Sequence, residues 1–119
     1  MIVYFNLLSS VKTRDLRLTP KDDLIYSTFK TDFPQFQLDK IPEESLKSDE
    51  AKAKWREFCN KFTNEVEDFN YATMLRLDSG DEYSESNTIL VTRIQFLAIE
   101  IARNREGFND SILEKFGKN

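Results

Sequence analysis

With 119 residues, 17 basic and 21 acidic side chains and a formal net charge of −4, the chain has the size of one domain and the wrong charge for a protein that tracks nucleic-acid phosphates. A single cysteine, Cys59, and a complete lack of histidine exclude an intramolecular disulfide, every histidine-containing metal site and every histidine-dependent catalytic triad. Ten Phe, four Tyr and one Trp promise an aromatic-rich core.

The chain opens on MIVYFNLLSSV, apolar at 2, 3, 4, 5, 7, 8 and 11, which predicts a helix over residues 1–11 docked into the core. So short and abrupt a helix is either held by packing or preceded by further sequence. It carries neither the basic leader nor the cleavage site of a signal peptide, and the polar residues after it cannot span a bilayer, so a cytosolic or nuclear compartment and no membrane contact are expected.

Thr19 and Pro20 predict the cap and first position of a second helix, with Asp22 and Asp23 near the positive end of its dipole. Leu24, Ile25, Phe29 and Phe33 form its expected inner face, and Pro34 stops it. Phe36 and Leu38 alternate with Gln37 and Asp39, a short strand over 36–40, and Ile41 to Glu44 form a turn. Ser48 caps a third helix whose apolar stripe runs through Ala51, Trp55, Phe58, Cys59, Phe62, Val66 and Phe69. From Tyr71 to Asp78 the period changes to two, a strand that ends in the turn Asp78 to Asp81. Residues 39–86 hold 13 acidic and 7 basic side chains, a local balance of −6, so a basic partner would meet the chain there.

The stretch NTILVTRIQFLAIEIARNREG predicts one long central helix from Asn87, as N-cap, to Gly107, as left-handed C-cap. Leu90, Ile94, Leu97, Ala98 and Ile101 share a broad face while Ile89, Phe96 and Ile99 lie on the other side, so this helix must be packed on more than one face. The tail from Phe108 reads as a frayed turn or two.

Three constellations invite chemistry. Glu65, Glu67 and Asp68, followed by Asn70, form either an acidic cluster or a solvated helix end, and i, i+2 spacing favours the latter. Asp78, Asp81 and Glu82 lack the ligand spacing and central glycine of a calcium loop. Cys59 lies on an apolar stripe with no imidazole anywhere to activate it, and the three glycines make no phosphate-binding loop. A polar seam of Arg93, Glu100 and Asn104 leaves two readings open. Arg76 or Arg93 pairs with Glu100 as internal architecture, or the seam belongs to a partner surface that presents Arg103, Arg105 and Glu106. The residues alone define a globular domain with a central helix and no catalytic equipment.

The block from Lys54 to Asp110, with the strings EDFNYATMLRLD and RIQFLAIEIARNREG, resembles the signature of the eukaryotic family called polysaccharide biosynthesis domain-containing protein 1. VYFNLLSSV and DDLIYSTFKTDFP fit it too, so the resemblance covers nearly the whole chain. Family members usually carry residues before the first helix, and some carry a charged tail that is not seen here. The family name suggests sugar chemistry, but the methyltransferase-type enzymes behind it need a glycine-rich cofactor turn. The resemblance implies instead a dedicated chaperone of newly made translation elongation factor 1-alpha. It would bind the nascent GTP-binding domain at the ribosome and be recruited by the nascent polypeptide-associated complex, with GTP acting only through the client. The expected client surface is Asp68, Asn70, Tyr71, Arg76, Arg93, Asn104, Arg105 and Glu106, which are polar or amphipathic where packing would prefer apolar side chains.

The expected protein is thus one α+β, mainly α, domain over 1–119, with four helices around the central one and a small sheet from segments 36–40 and 71–78. It is expected to be a monomer without cofactor or metal. A scaffold in nuclear or signalling complexes, or a polysaccharide-modifying enzyme, are the alternatives.

Overall fold

Local capping and turn signals set where each element stops, and long-range pairing decides what several of them are. The computed structural model describes residues 16–66, 68–110 and 112. Within them run α1 (Asp22–Asp32), α2 (Glu44–Lys47), α3 (Asp49–Asn60), β1 (Ala72–Arg76), a 3-10 turn (Glu85–Asn87), β2 (Thr88–Thr92) and α4 (Arg93–Glu106). The class is α+β and mainly helical, as expected. The helix predicted over 1–11 lies outside the described residues, and the segment predicted as a turn at 41–44 leads instead directly into the one-turn α2.

α1 begins two residues after Pro20. Thr19 caps only the backbone amide of Lys21, while the Asp22 carboxylate folds back onto the amides of Leu18 and Thr19 at 2.9 and 2.7 Å. Pro34 ends the helix as predicted, with Phe33 in the C-cap position. Ile25 and Phe29, four apart, point into the core, whereas Leu24 is left exposed because it lies a hundred degrees away on the cylinder. Phe29, Phe33, Phe36, Trp55 and Phe58 form one aromatic cluster, in which the Phe33 and Trp55 rings stack with centroids 4.2 Å apart. Trp55 satisfies its indole N–H on the Ser45 carbonyl at 3.1 Å, as a buried indole must.

Ser48 caps α3 as predicted, accepting from the Ala51 amide, but the helix stops at Asn60 rather than near Phe69. The Thr63 hydroxyl donates to the Asn60 carbonyl, and the chain goes on in turns that keep Phe62 and Val66 buried at the same spacing. Apolar periodicity therefore outlives the helix.

The largest departure is at residues 87–92. Thr88 to Thr92 is a strand, antiparallel to β1 in the register Ala72↔Thr92 through Arg76↔Thr88, and α4 starts only at Arg93. The run TILVT is rich in β-branched side chains, and β1 supplies it with a ladder that an isolated helix reading cannot see. Thr92 and Gln95 close a full capping box, a start signal five residues beyond the one expected at Asn87. Asn87 caps no helix. Its side chain accepts from the Asp78 amide and donates to the carbonyls of Asp78 and Glu82, bracing the loop between the strands.

The strand expected over 36–40 reduces to one bridge, Lys40 to Asp78, and its carbonyl at Leu38 is taken by Arg103 Nε at 2.8 Å. α4 ends at Gly107 with φ 86°, the left-handed position predicted for it. Between Phe96 and Asn104 it is buried all round, packed against α1, α3 and both strands. Past Gly107, Asn109 and Ile112 are buried, so this part of the tail is docked and not frayed. No helix among the described residues is long and apolar enough to cross a membrane.

Candidate functional site

Arg76 leaves the end of β1 and Glu100 and Arg103 leave α4, and all three side chains are fully buried. Burying a charge is costly unless it is paired and hydrogen-bonded, and here the structure meets both conditions. Glu100 lies between the guanidinium groups, with Oε2 at 2.9 Å from Arg103 and Oε1 at 3.4 Å from Arg76. Arg76 also donates to the carbonyls of Ser79 and Asp81 and to Asn109 Oδ1 at 2.7 Å. Arg103 donates to the carbonyls of Leu38, Arg76 and Leu77, stitching segment 38–41 to the end of β1 alongside the two backbone bonds of the Lys40–Asp78 bridge. Asn109 donates to Asn104 Oδ1 at 2.6 Å and to Glu100. The Tyr83 ring covers Arg76 at 5.7 Å, and burial, reinforced by the Glu100 charge, pushes its phenol up to about 12.

This network decides the seam. Arg76, not Arg93, partners Glu100, and the polar line along the helix is internal architecture. Arg76, Arg103 and Asn104 present essentially no surface to solvent and leave the expected partner surface. Fixed acceptors held by distant backbone make the burial of two arginines tolerable.

The remaining expected residues divide into two groups. Asp68, Asn70 and Tyr71 sit with Arg93 where the strand pair meets the start of α4, because the amides of Arg93 and Ile94 donate to the carbonyls of Tyr71 and Phe69 at 2.7 and 2.9 Å. Asp68 adopts a left-handed φ of 55° that turns the chain here, and Tyr71 is 64% exposed. Arg105 and Glu106 lie at the other end of α4, about 18 Å along its axis at 1.5 Å per residue. There Arg105 bonds Asp23 at 2.6 Å and lies 5.0 Å from the Tyr26 ring, while Glu106 pairs with Lys30 at 3.2 Å and accepts from the Tyr26 hydroxyl. The Arg105 hydrogen bond and charge hold Asp23 below the usual carboxylate range. Burial, with Glu106 adding to it, raises the Tyr26 phenol.

The groups singled out for chemistry are placed as follows. Glu65 pairs with Lys21 at 3.1 Å, and Asp78 and Asp81 accept from the loop amides of Gly80 and Glu82. Glu67 lies outside the described residues. Cys59 is half-buried beside the Thr92 hydroxyl at 3.9 Å, and burial pushes its thiol up, away from the reactive thiolate. Among the described residues no cluster of three or more metal-ligating side chains forms.

Two concavities flank α3. One, of about 580 Å³, lies by Phe33 and Phe36 and is lined by charges of both signs, Glu44, Glu50 and Lys54 among them. The other, of about 440 Å³, runs between α3 and β2. Its cations, Lys47, Lys52 and Arg56, were hidden in the sequence by the acidic segment around them. The one local signal for them was the four-residue spacing of Lys52 and Arg56 on the polar face of α3.

Known proteins resemble this chain in sequence, and one solved structure resembles it in fold. The sequence profile described as PBDC1 protein matches residues 1–114. The chain is 56% identical over 110 residues to Protein PBDC1 of Homo sapiens, covering 92% of this chain and 47% of the human protein. Against Protein PBDC1 of Mus musculus it is 54% identical over 110 residues, covering 92% and 56%. The chain thus spans about half the length of these relatives. A solution NMR structure of protein yst0336 from Saccharomyces cerevisiae superposes with a TM-score of 0.88 at 44% identity, over 96% of this chain and 81% of that one.

Proposed function

The chain belongs to the PBDC1 family, and from that premise we propose that it is a binding protein and not an enzyme. Its client is the newly made GTP-binding domain of translation elongation factor 1-alpha, which it receives in the cytoplasm. The nascent polypeptide-associated complex recruits it to the ribosome, and GTP acts only as the ligand of the client. The observation that carries this reading is the junction of β1 and α4. Tyr71, 64% exposed, projects beside Arg93, Asn70 and Asp68 from a backbone bolted to α4 by two hydrogen bonds. An exposed aromatic on a fixed backbone, with an arginine beside it, is the kind of residue that anchors protein interfaces. The buried charges of Arg76, Glu100 and Arg103 are committed to one another, and the Cys59 thiol is held protonated. Both features suit a scaffold better than a reaction centre.

A photoreactive amino acid in place of Tyr71, carried into an extract translating elongation factor 1-alpha, tests the reading. The expected result is an adduct with ribosome-bound chains long enough to expose the GTP-binding domain, and none with an unrelated nascent protein of equal length. Equal labelling of both, or of neither, refutes it.

A further inference from the structure

We propose that the groove between α3 and β2 binds an acidic peptide segment, anchored by a large apolar side chain, from a partner protein. The groove is a second docking site beyond the Tyr71 surface that it borders, and the proposal stands whatever client that surface receives.

Three observations converge on it. The floor is apolar, made by Leu46, Trp55 and Val91, and its wall on β2 is Leu90, a leucine 54% exposed on a strand whose neighbour Val91 is buried. The rim is cationic. Lys52 and Arg56 stand one helical turn apart on α3, and Lys47 reaches across the groove to the Leu90 carbonyl at 3.3 Å. Finally, none of these three cations forms an ion pair among the described residues, whereas Lys21, Lys30, Lys61 and Arg105 each pair with a carboxylate.

The described lining holds three positive charges and no carboxylate, on a chain of net charge −4. A cleft lined by one sign of charge raises the local concentration of the opposite sign and rejects like-charged partners. The exposed leucine and the apolar floor supply the anchor site that a purely electrostatic contact lacks. A nucleic-acid strand fits less well, because tight phosphate tracking uses about 6–10 cationic contacts and this groove offers half that number or fewer. An acidic segment with a leucine or phenylalanine satisfies both the rim and the floor.

Fluorescence polarisation with the 119-residue chain tests this, using a labelled synthetic peptide that alternates Glu or Asp with Leu and Phe, the same peptide with Lys for every acid, and labelled single-stranded RNA. The acidic peptide is expected to bind, with NMR shifts at the Leu90 and Ala72 amides. Binding should weaken at least about ten-fold in Lys52→Glu/Arg56→Glu and in Leu90→Ser, and stay unchanged in Lys54→Glu beside the other concavity. Should the double reversal fail to fold, Lys52→Gln/Arg56→Gln serves in its place, with a smaller loss expected. Equal binding of the basic peptide, preference for RNA, no binding at all, or indifference to the groove substitutions would overturn the proposal. None of these outcomes touches the client assay at Tyr71, which uses a different position and a nascent chain.

Discussion

Replacing Glu100 by Gln keeps the volume of the side chain and removes its charge, which leaves Arg76 and Arg103 buried without a counter-ion. A carboxamide has one accepting oxygen and, in place of the second carboxylate oxygen, a nitrogen that only donates. With its nitrogen toward Arg103 it sets donor against donor where Oε2 now accepts at 2.9 Å. Flipped, it faces the Arg76 and Asn109 donors that Oε1 now accepts from at 3.4 and 3.3 Å. Breaking a buried pair costs about 3–5 kcal/mol. The lower end applies here, since Arg76 keeps its bonds to Ser79, Asp81 and Asn109 and Arg103 keeps three carbonyl acceptors. A loss of about 3 kcal/mol, at about 4 °C per kcal/mol for a chain of this size, lowers the melting midpoint by about 12 °C. Urea unfolding followed by tryptophan fluorescence measures the change directly through Trp55, at the heart of the aromatic cluster. A Glu100→Gln variant within about 1 kcal/mol of the parent would show that carbonyl dipoles alone hold the two arginines, and the reasoning about the network would fail.

Other consequences follow from single contacts. Thr92→Ala removes half of the capping box and should cost about 1 kcal/mol in the same assay, while Thr92→Ser should be nearly silent; equal losses would deny the cap its role. Gly107→Ala forces a Cβ into a left-handed φ of 86° and should destabilise by about 1 kcal/mol. Charge reversal of Arg105 and Glu106 together should leave folding almost unchanged, since both are surface ion pairs. If client capture also survives, these two leave the proposed client surface, of which the Tyr71 end then remains. In ultraviolet titration one tyrosine should ionise near 12 instead of 10, and Tyr83→Phe should abolish that step. A phenol whose pKa is raised by folding stabilises the native state below its unfolded value. That contribution is lost as pH climbs from about 10 to about 12, so the Tyr83→Phe variant should show a shallower alkaline fall in stability.

Local backbone physics makes some ends of elements legible in the amino-acid order alone, though not the end of α3 at Asn60 or the start of α4 after Thr92. Pro34 stops α1, Ser48 caps α3 and Gly107 terminates α4 because each acts through its own dihedral or its own hydrogen bond within a turn. The multi-faced burial of α4 is equally plain, since apolar side chains at every angle leave no side for water. The signature strings announce the family for the same reason that they announce the elements, which is that both reside in adjacent residues.

What depends on partners far along the chain cannot be read this way. Whether TILVT continues a helix or forms a strand turns on β1, whose ladder lies in another segment. Whether Phe36 to Lys40 forms a strand turns on a guanidinium 65 positions from Leu38 that claims its carbonyl. Arginine is the residue for which sequence says least. Its long stem and fan of donors suit the surface at Arg93 and Arg105 and the core at Arg76 and Arg103, and only the acceptors gathered by folding choose between them. Of the residues expected at a partner surface, Tyr71 is exposed, whereas the burial of Arg76 and Asn104 and the cationic groove beside α3 are set by tertiary structure, because charge along a sequence does not give charge across a surface.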